Sequence, residues 1–76
     1  MNHEEIKQRI RDYQQADGVQ PLTCANNNKH EKLYPKVLEE GLVLLCPNCN
    51  YTQTYIPDLF FESRFYEWLR GMKSLI

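Results

Sequence analysis

Four residues, Cys24, His30, Cys46 and Cys49, run in the order Cys-x5-His-x15-Cys-x2-Cys and constrain this chain more than any other feature. A tetrahedral metal ion takes four soft or borderline donors, and two short loops carrying two donors each can supply every corner. The spacing is that of a structural Zn²⁺ site. Its sharper half, Leu45-Cys46-Pro47-Asn48-Cys49-Asn50-Tyr51, separates two sulfurs by two residues, so both converge on one point while neighbouring amides turn toward them. The looser half, Cys24-Ala25-Asn26-Asn27-Asn28-Lys29-His30, fills its gap with residues at ease in an exposed irregular loop.

Other uses of these residues compete with zinc. A redox Cys-x-x-Cys pair comes with a βαβ alternation, which this chain lacks. A disulfide framework leaves one of the three cysteines unpaired. The cysteines could also be ordinary buried apolar residues, with His30 a solvated loop residue. His3 sits in a polar helical segment and is a spare ligand at best. Catalysis needs a coordination position open to water, and here protein fills all four. The nearest catalytic pattern is the deaminase signature, His-x-Glu followed by Pro-Cys-x-x-Cys. Glu31 instead directly follows His30, position 32 is lysine, and Pro47 lies inside the cysteine pair. The expectation is a non-enzymatic protein.

A chain of 76 residues is expected to form a single domain, residues 1–76, too small to bury a comfortable core without a staple. Zinc answers that need, so the metal-free chain is expected to be largely unfolded. No run of about 18 apolar residues exists to span a bilayer. Met1-Asn2-His3-Glu4-Glu5 lacks the layout of a signal peptide. Reduced thiols then point to the cytoplasm or the nucleus, the cytoplasm being a host's if the chain is phage-encoded. Three thiolates around one Zn²⁺ take the formal charge of −1 to about −2, which does not favour nucleic acid globally. Locally, Lys29, Lys32 and Lys36 outweigh Glu31, whereas Glu39, Glu40, Asp58 and Glu62 make a negative stretch.

The pattern along the chain predicts an α+β fold, a small antiparallel sheet flanked by an N-terminal helix and a longer amphipathic C-terminal helix. Asn2 with Glu5 is a capping box, and Ile6, Ile10 and Tyr13 recur at helical spacing, predicting a helix over residues 2–15 that Asp17-Gly18 ends. The N-terminal unit is thus residues 1–17. Short β-like runs follow within 19–56, at residues 19–23, 31–38, 42–46 and 51–56. Glu40-Gly41 is the hairpin turn, with glycine supplying the positive φ. Pro35 belongs on an edge or at a bulge. Leu42-Val43-Leu44-Leu45, apolar on both faces, reads as a central strand covered by helices.

Pro57-Asp58 starts the second helix, residues 58–74. Phe61, Phe65, Trp68, Leu69, Met72, Leu75 and Ile76 gather on one side of it, opposite Ser63, Glu67, Arg70 and Lys73. Leu59, Phe60 and Tyr66 fall outside that arc. Two uses suit this face: covering Leu42 and Leu44 as core, or meeting a partner through Phe60, Phe61, Phe65, Tyr66 and Trp68, the partner being a target protein or a second copy.

With Cys24, His30, Cys46, Pro47 and Cys49 on two hairpin tips, the chain resembles the zinc-ribbon family over residues 21–56. The resemblance implies two knuckles clamping zinc at one end of a small sheet. The five-residue gap and the histidine depart from the commoner Cys-x2-Cys first knuckle. Small ribbons with helical additions look like accessory proteins of transcription, translation or phage takeover. Two functions follow. The first is a regulatory protein-interaction module. The second is a nucleic-acid-binding ribbon using Lys29, Lys32, Tyr34 and Lys36, with Tyr51 or Tyr55 as further stacking residues.

Overall fold

The structure, a computed structural model, describes residues 2–73. Helix α1 spans His3–Gln15, and the Asn2 side chain accepts the Glu5 N–H at 2.8 Å, the cap the sequence predicts. Ala16 is already extended, its N–H bonded to the Tyr13 carbonyl, so the helix closes before Asp17, and Gly18 (φ 85°) turns the chain beyond it. Strands β1 (Tyr34–Leu38), β2 (Gly41–Leu45) and β3 (Thr52–Gln53) form an antiparallel sheet in that order. Gly41 adopts φ 132° opposite Leu38, so the reversal between β1 and β2 uses the conformation only glycine takes readily. Pro35 lies on an edge strand, as expected.

The strands are shorter than their apolar runs. Residues 19–23 form no strand, and the Leu33 N–H bonds to the Leu22 carbonyl instead of joining a ladder with β2. β3 stops at Gln53, whose side-chain amide donates to the Tyr55 carbonyl at 2.8 Å. β2 is the central strand, yet a helix covers only one of its faces. Leu42 and Leu44 turn toward the core, while the register puts Tyr34, Lys36, Leu38, Val43 and Leu45 on the opposite side.

The second helix differs most from expectation. Asp58–Phe61 makes a single 3₁₀ turn, Glu62 is extended, and helix α2 begins only at Phe65, running to Lys73. In one continuous helix Phe60 and Phe65 would point about 140° apart. The break lets both enter the core, where they are 0% and 2% exposed with ring centroids 5.4 Å apart. As described, α2 has nine residues and is shorter than the thirteen of α1. Leu75, Ile76 and the Met72 side chain lie outside the described residues. It is α1 that lies on the sheet. The 3₁₀ turn and α2 pack on α1 and on each other, and among the described residues the backbone of α2 does not approach β2, although its Phe65 and Leu69 share the buried cluster with Leu44.

Arg9 binds these layers together. Its guanidinium donates to the carbonyls of Phe60 (3.1 Å) and Glu62 (2.6 Å) and lies 5.6 Å from the Phe65 ring centroid and 5.8 Å from that of Tyr66. The Glu62 carbonyl, at the break itself, also accepts the Phe65 N–H at 3.2 Å. Arg9→Ala is expected to lower stability by about 2 kcal/mol in urea unfolding. Arg9→Lys recovers little of it, because one ammonium cannot serve both carbonyls and lie flat on the rings. A lysine variant matching the parent would show that charge alone suffices.

Candidate metal centre

Cys46 directly follows β2 and Tyr51 directly precedes β3, so the tight loop joining two paired strands carries the second pair of donors. The Cys46 N–H donates to the Tyr51 carbonyl at 3.1 Å and closes the loop. Two amides turn toward sulfur as the sequence predicts: Asn48 N–H lies 3.4 Å from Cys46 Sγ, and Tyr51 N–H 3.5 Å from Cys49 Sγ. In the first loop the Asn27 side chain accepts the Lys29 N–H at 2.9 Å, and its carbonyl accepts the His30 N–H at 3.1 Å, a local turn that presents His30. The loops are tied to each other by Glu31 N–H donating to Asn48 Oδ1 at 2.8 Å. Asn26 also points its amide at Cys49 Sγ from 3.8 Å.

This scaffold brings together Cys24, His30, Cys46 and Cys49, whose donor atoms all lie within 4.8 Å of one another. Cys24 Sγ is 3.5 Å from Cys49 Sγ, and Cys46 Sγ is 3.4 Å from His30 Nδ1. Tetrahedral coordination with metal–sulfur bonds of about 2.3 Å sets donor–donor edges of roughly 3.6–3.8 Å, so the cluster fits an ion at its centre with little movement. All three cysteines are free thiols. The Tyr51 N–H holds the Cys49 thiol down to about 6, whereas burial pushes Cys46 up. A cation at the centre favours the thiolate of both. His3, the spare ligand of the sequence reading, lies outside the cluster, at the start of α1 near Glu40.

The other residues singled out in the sequence divide. Phe60 and Phe65 are core and offer no surface. Phe61, Trp68 and Tyr66 are 49%, 42% and 38% exposed. Two of these also work internally: Trp68 stacks on Tyr13 with centroids 6.1 Å apart, and the Tyr66 hydroxyl donates to Asp12 at 2.8 Å. Of the basic group, Lys29, Lys32, Tyr34 and Lys36 are all exposed, and Lys32 Nζ also donates to the Gln14 carbonyl at the end of α1, 2.8 Å away.

Sequence reading missed three residues. They are Asn48, Arg9 and Gln14. Gln14 is in fact 6% exposed and sits behind the first loop, its carboxamide bonded to the backbone of Leu22 and Leu33. The only sequence signal for it is its place one position after Tyr13, on the flank of the apolar stripe. No family model matches the chain, and neither the curated proteins nor the solved structures contain a match.

Proposed function

We propose that this chain is a non-catalytic zinc-binding module, a zinc ribbon with helical additions, that docks on a protein partner as an accessory or regulatory factor. One observation carries the reading: three sulfurs and one imidazole nitrogen meet at a point, from loops whose amides already address the sulfurs. That donor set suits Zn²⁺ over the oxygen-seeking Mg²⁺ and Ca²⁺, and its four protein donors leave no corner for a reacting water. Zinc here would fix the two loops to each other and thereby the ends of β2 and β3.

Protein docking is supported by Phe61, Tyr66 and Trp68, large aromatic side chains that keep much of their surface in water after the core has taken Phe60 and Phe65. The nucleic-acid alternative is weakened because Lys32, central to its basic group, already serves the helix end. Native mass spectrometry of the purified chain tests the first half: one bound ion with the mass of zinc is expected, removed by chelator and absent from Cys46→Ser. Pull-down with the metal-loaded chain, repeated with Trp68→Ser, tests the second, and labelled DNA and RNA titrated across salt concentrations test the alternative. Salt-sensitive nucleic-acid binding without a protein partner would replace docking by that alternative. A compact, metal-free species would remove the zinc reading.

A further inference from the structure

The first turns of α1, the end of the β1–β2 hairpin and the chain leaving β3 enclose a trough of about 460 Å³, at the end of the sheet where the hairpin turns. Ile6, Leu42, Ile56 and Phe61 give it apolar walls, and Glu40 is its one acidic lining residue. Among the described residues no lysine or arginine lines it, although His3 does, and Phe61, half exposed, is a large apolar side chain without a full set of neighbours. Acidic residues adjoin it in the chain. Glu4 and Glu5 lie in the first turn of α1, Glu39 beside Glu40, and Asp58 and Glu62 flank the 3₁₀ turn that carries Phe61. All five are exposed, and among the described residues none of these carboxylates is in an ion pair. The nearest lysines in sequence, Lys7 and Lys36, do not line the trough.

We infer that this trough is a docking site for a basic-flanked apolar segment of a protein partner, one that inserts an apolar side chain beside Phe61 and sets Lys or Arg against the acidic rim. The inference rests on the protein-docking reading above and names the place and chemistry of the contact. Two features argue for that occupant. An apolar depression recovers free energy only from an apolar side chain. Glu40 in the lining and Glu4, Glu5, Glu39, Asp58 and Glu62 in the adjoining chain, none of them in an ion pair among the described residues, outnumber His3 and Arg9, and this acidic excess selects a cationic segment and repels an acidic one. Charge complementarity of this kind acts chiefly on encounter rate and on partner choice.

The test uses the full zinc-loaded chain, isotopically labelled, titrated with three short amphipathic peptides. They carry leucines with lysines, leucines with glutamates, and serines with lysines. The leucine–lysine peptide is expected to shift the amide signals of Ile6, Gly41, Leu42, Ile56 and Phe61, and the other two to bind at least about tenfold more weakly. Glu39→Lys combined with Glu40→Lys, at an exposed turn, and separately Phe61→Ser, are each expected to weaken binding by about tenfold, the first with loss of salt dependence. Equal binding of the three peptides, shifts confined to the Tyr66–Trp68 surface or to the knuckles, or no binding at all would overturn the site. Concentration-dependent shifts at the trough without peptide would overturn it in favour of a second copy. The amides of Asn48 and Tyr51 report the metal loops in the same spectra. A chain that keeps those signals in place and ignores the peptide refutes this site alone, whereas a chain that never shows them refutes the zinc-dependent reading.

Discussion

Stripping the metal with a strong chelator is expected to abolish cooperative thermal unfolding of this chain, and Cys46→Ser to do the same in the presence of zinc. A structural zinc site contributes on the order of 10 kcal/mol, comparable to the whole stability of a small domain, which is about 5–15 kcal/mol. The distribution of contacts explains why this chain has little to fall back on. Cys24 and Cys46 are themselves members of the buried cluster, so losing the ion sets two thiols loose inside the core. β3 is two residues long and is reached only through the Cys46–Tyr51 loop. The first loop is joined to the second mainly by the Glu31–Asn48 hydrogen bond. A single hydrogen bond of net worth about 1 kcal/mol cannot hold two loops that the ion would otherwise fix.

Residual order in the metal-free chain should be unevenly placed. The group formed by Ile10, Tyr13, Phe60, Phe65 and Trp68 contains no metal donor, and α1 has its own cap at Asn2. Circular dichroism should therefore keep part of its helical signal after chelation while calorimetry loses its peak. A metal-free form with a sharp transition at the parent midpoint would show that the core folds unaided and that the cluster of donors is incidental.

What could be read from the sequence is what depends on near neighbours. The Asn2 cap, the Gly41 turn and the amides facing Cys46 and Cys49 all arise within a few residues, and each is where the local pattern places it. The four donors were legible for a related reason: their residue types are scarce and their chemistry shared, so spacing alone pairs them. The break at Glu62 was not legible, because a helical wheel assumes the continuity it is used to test. Phe60 looked like surplus on that wheel, yet a single extended residue sends it to the centre of the molecule. Strand lengths failed likewise. Residues 19–23 have the composition of a strand, but a ladder needs a run of backbone partners, and Leu22 has one backbone bond, from the Leu33 N–H, with a side chain taking the rest.

That side chain is Gln14, and its replacement should give the largest effect of any residue outside the metal ligands and the aromatic core. Its Oε1 accepts the Leu22 N–H at 2.8 Å, and its Nε2 donates to the Leu22 carbonyl at 2.9 Å and to the Leu33 carbonyl at 2.8 Å. One carboxamide thus acts as the missing strand between the segments that enter and leave the first ligand loop. Gln14→Leu fills the same space but leaves the Leu22 N–H and the Leu33 carbonyl without those partners in a poorly hydrated site, a loss of about 2–4 kcal/mol. Gln14→Glu is the more discriminating substitution. It keeps the acceptor for Leu22 N–H and sets the other oxygen against two carbonyls, so its folded-state pKa is raised above the unfolded value. A raised pKa means the folded form holds its proton to higher pH, so the variant's deficit relative to the parent should grow as pH rises from about 6 to 8. Urea unfolding of the zinc-loaded proteins at both pH values measures this. If Gln14→Leu stayed within about 0.5 kcal/mol of the parent, the carboxamide would be an ordinary surface-type substitution site and not the brace of the first loop.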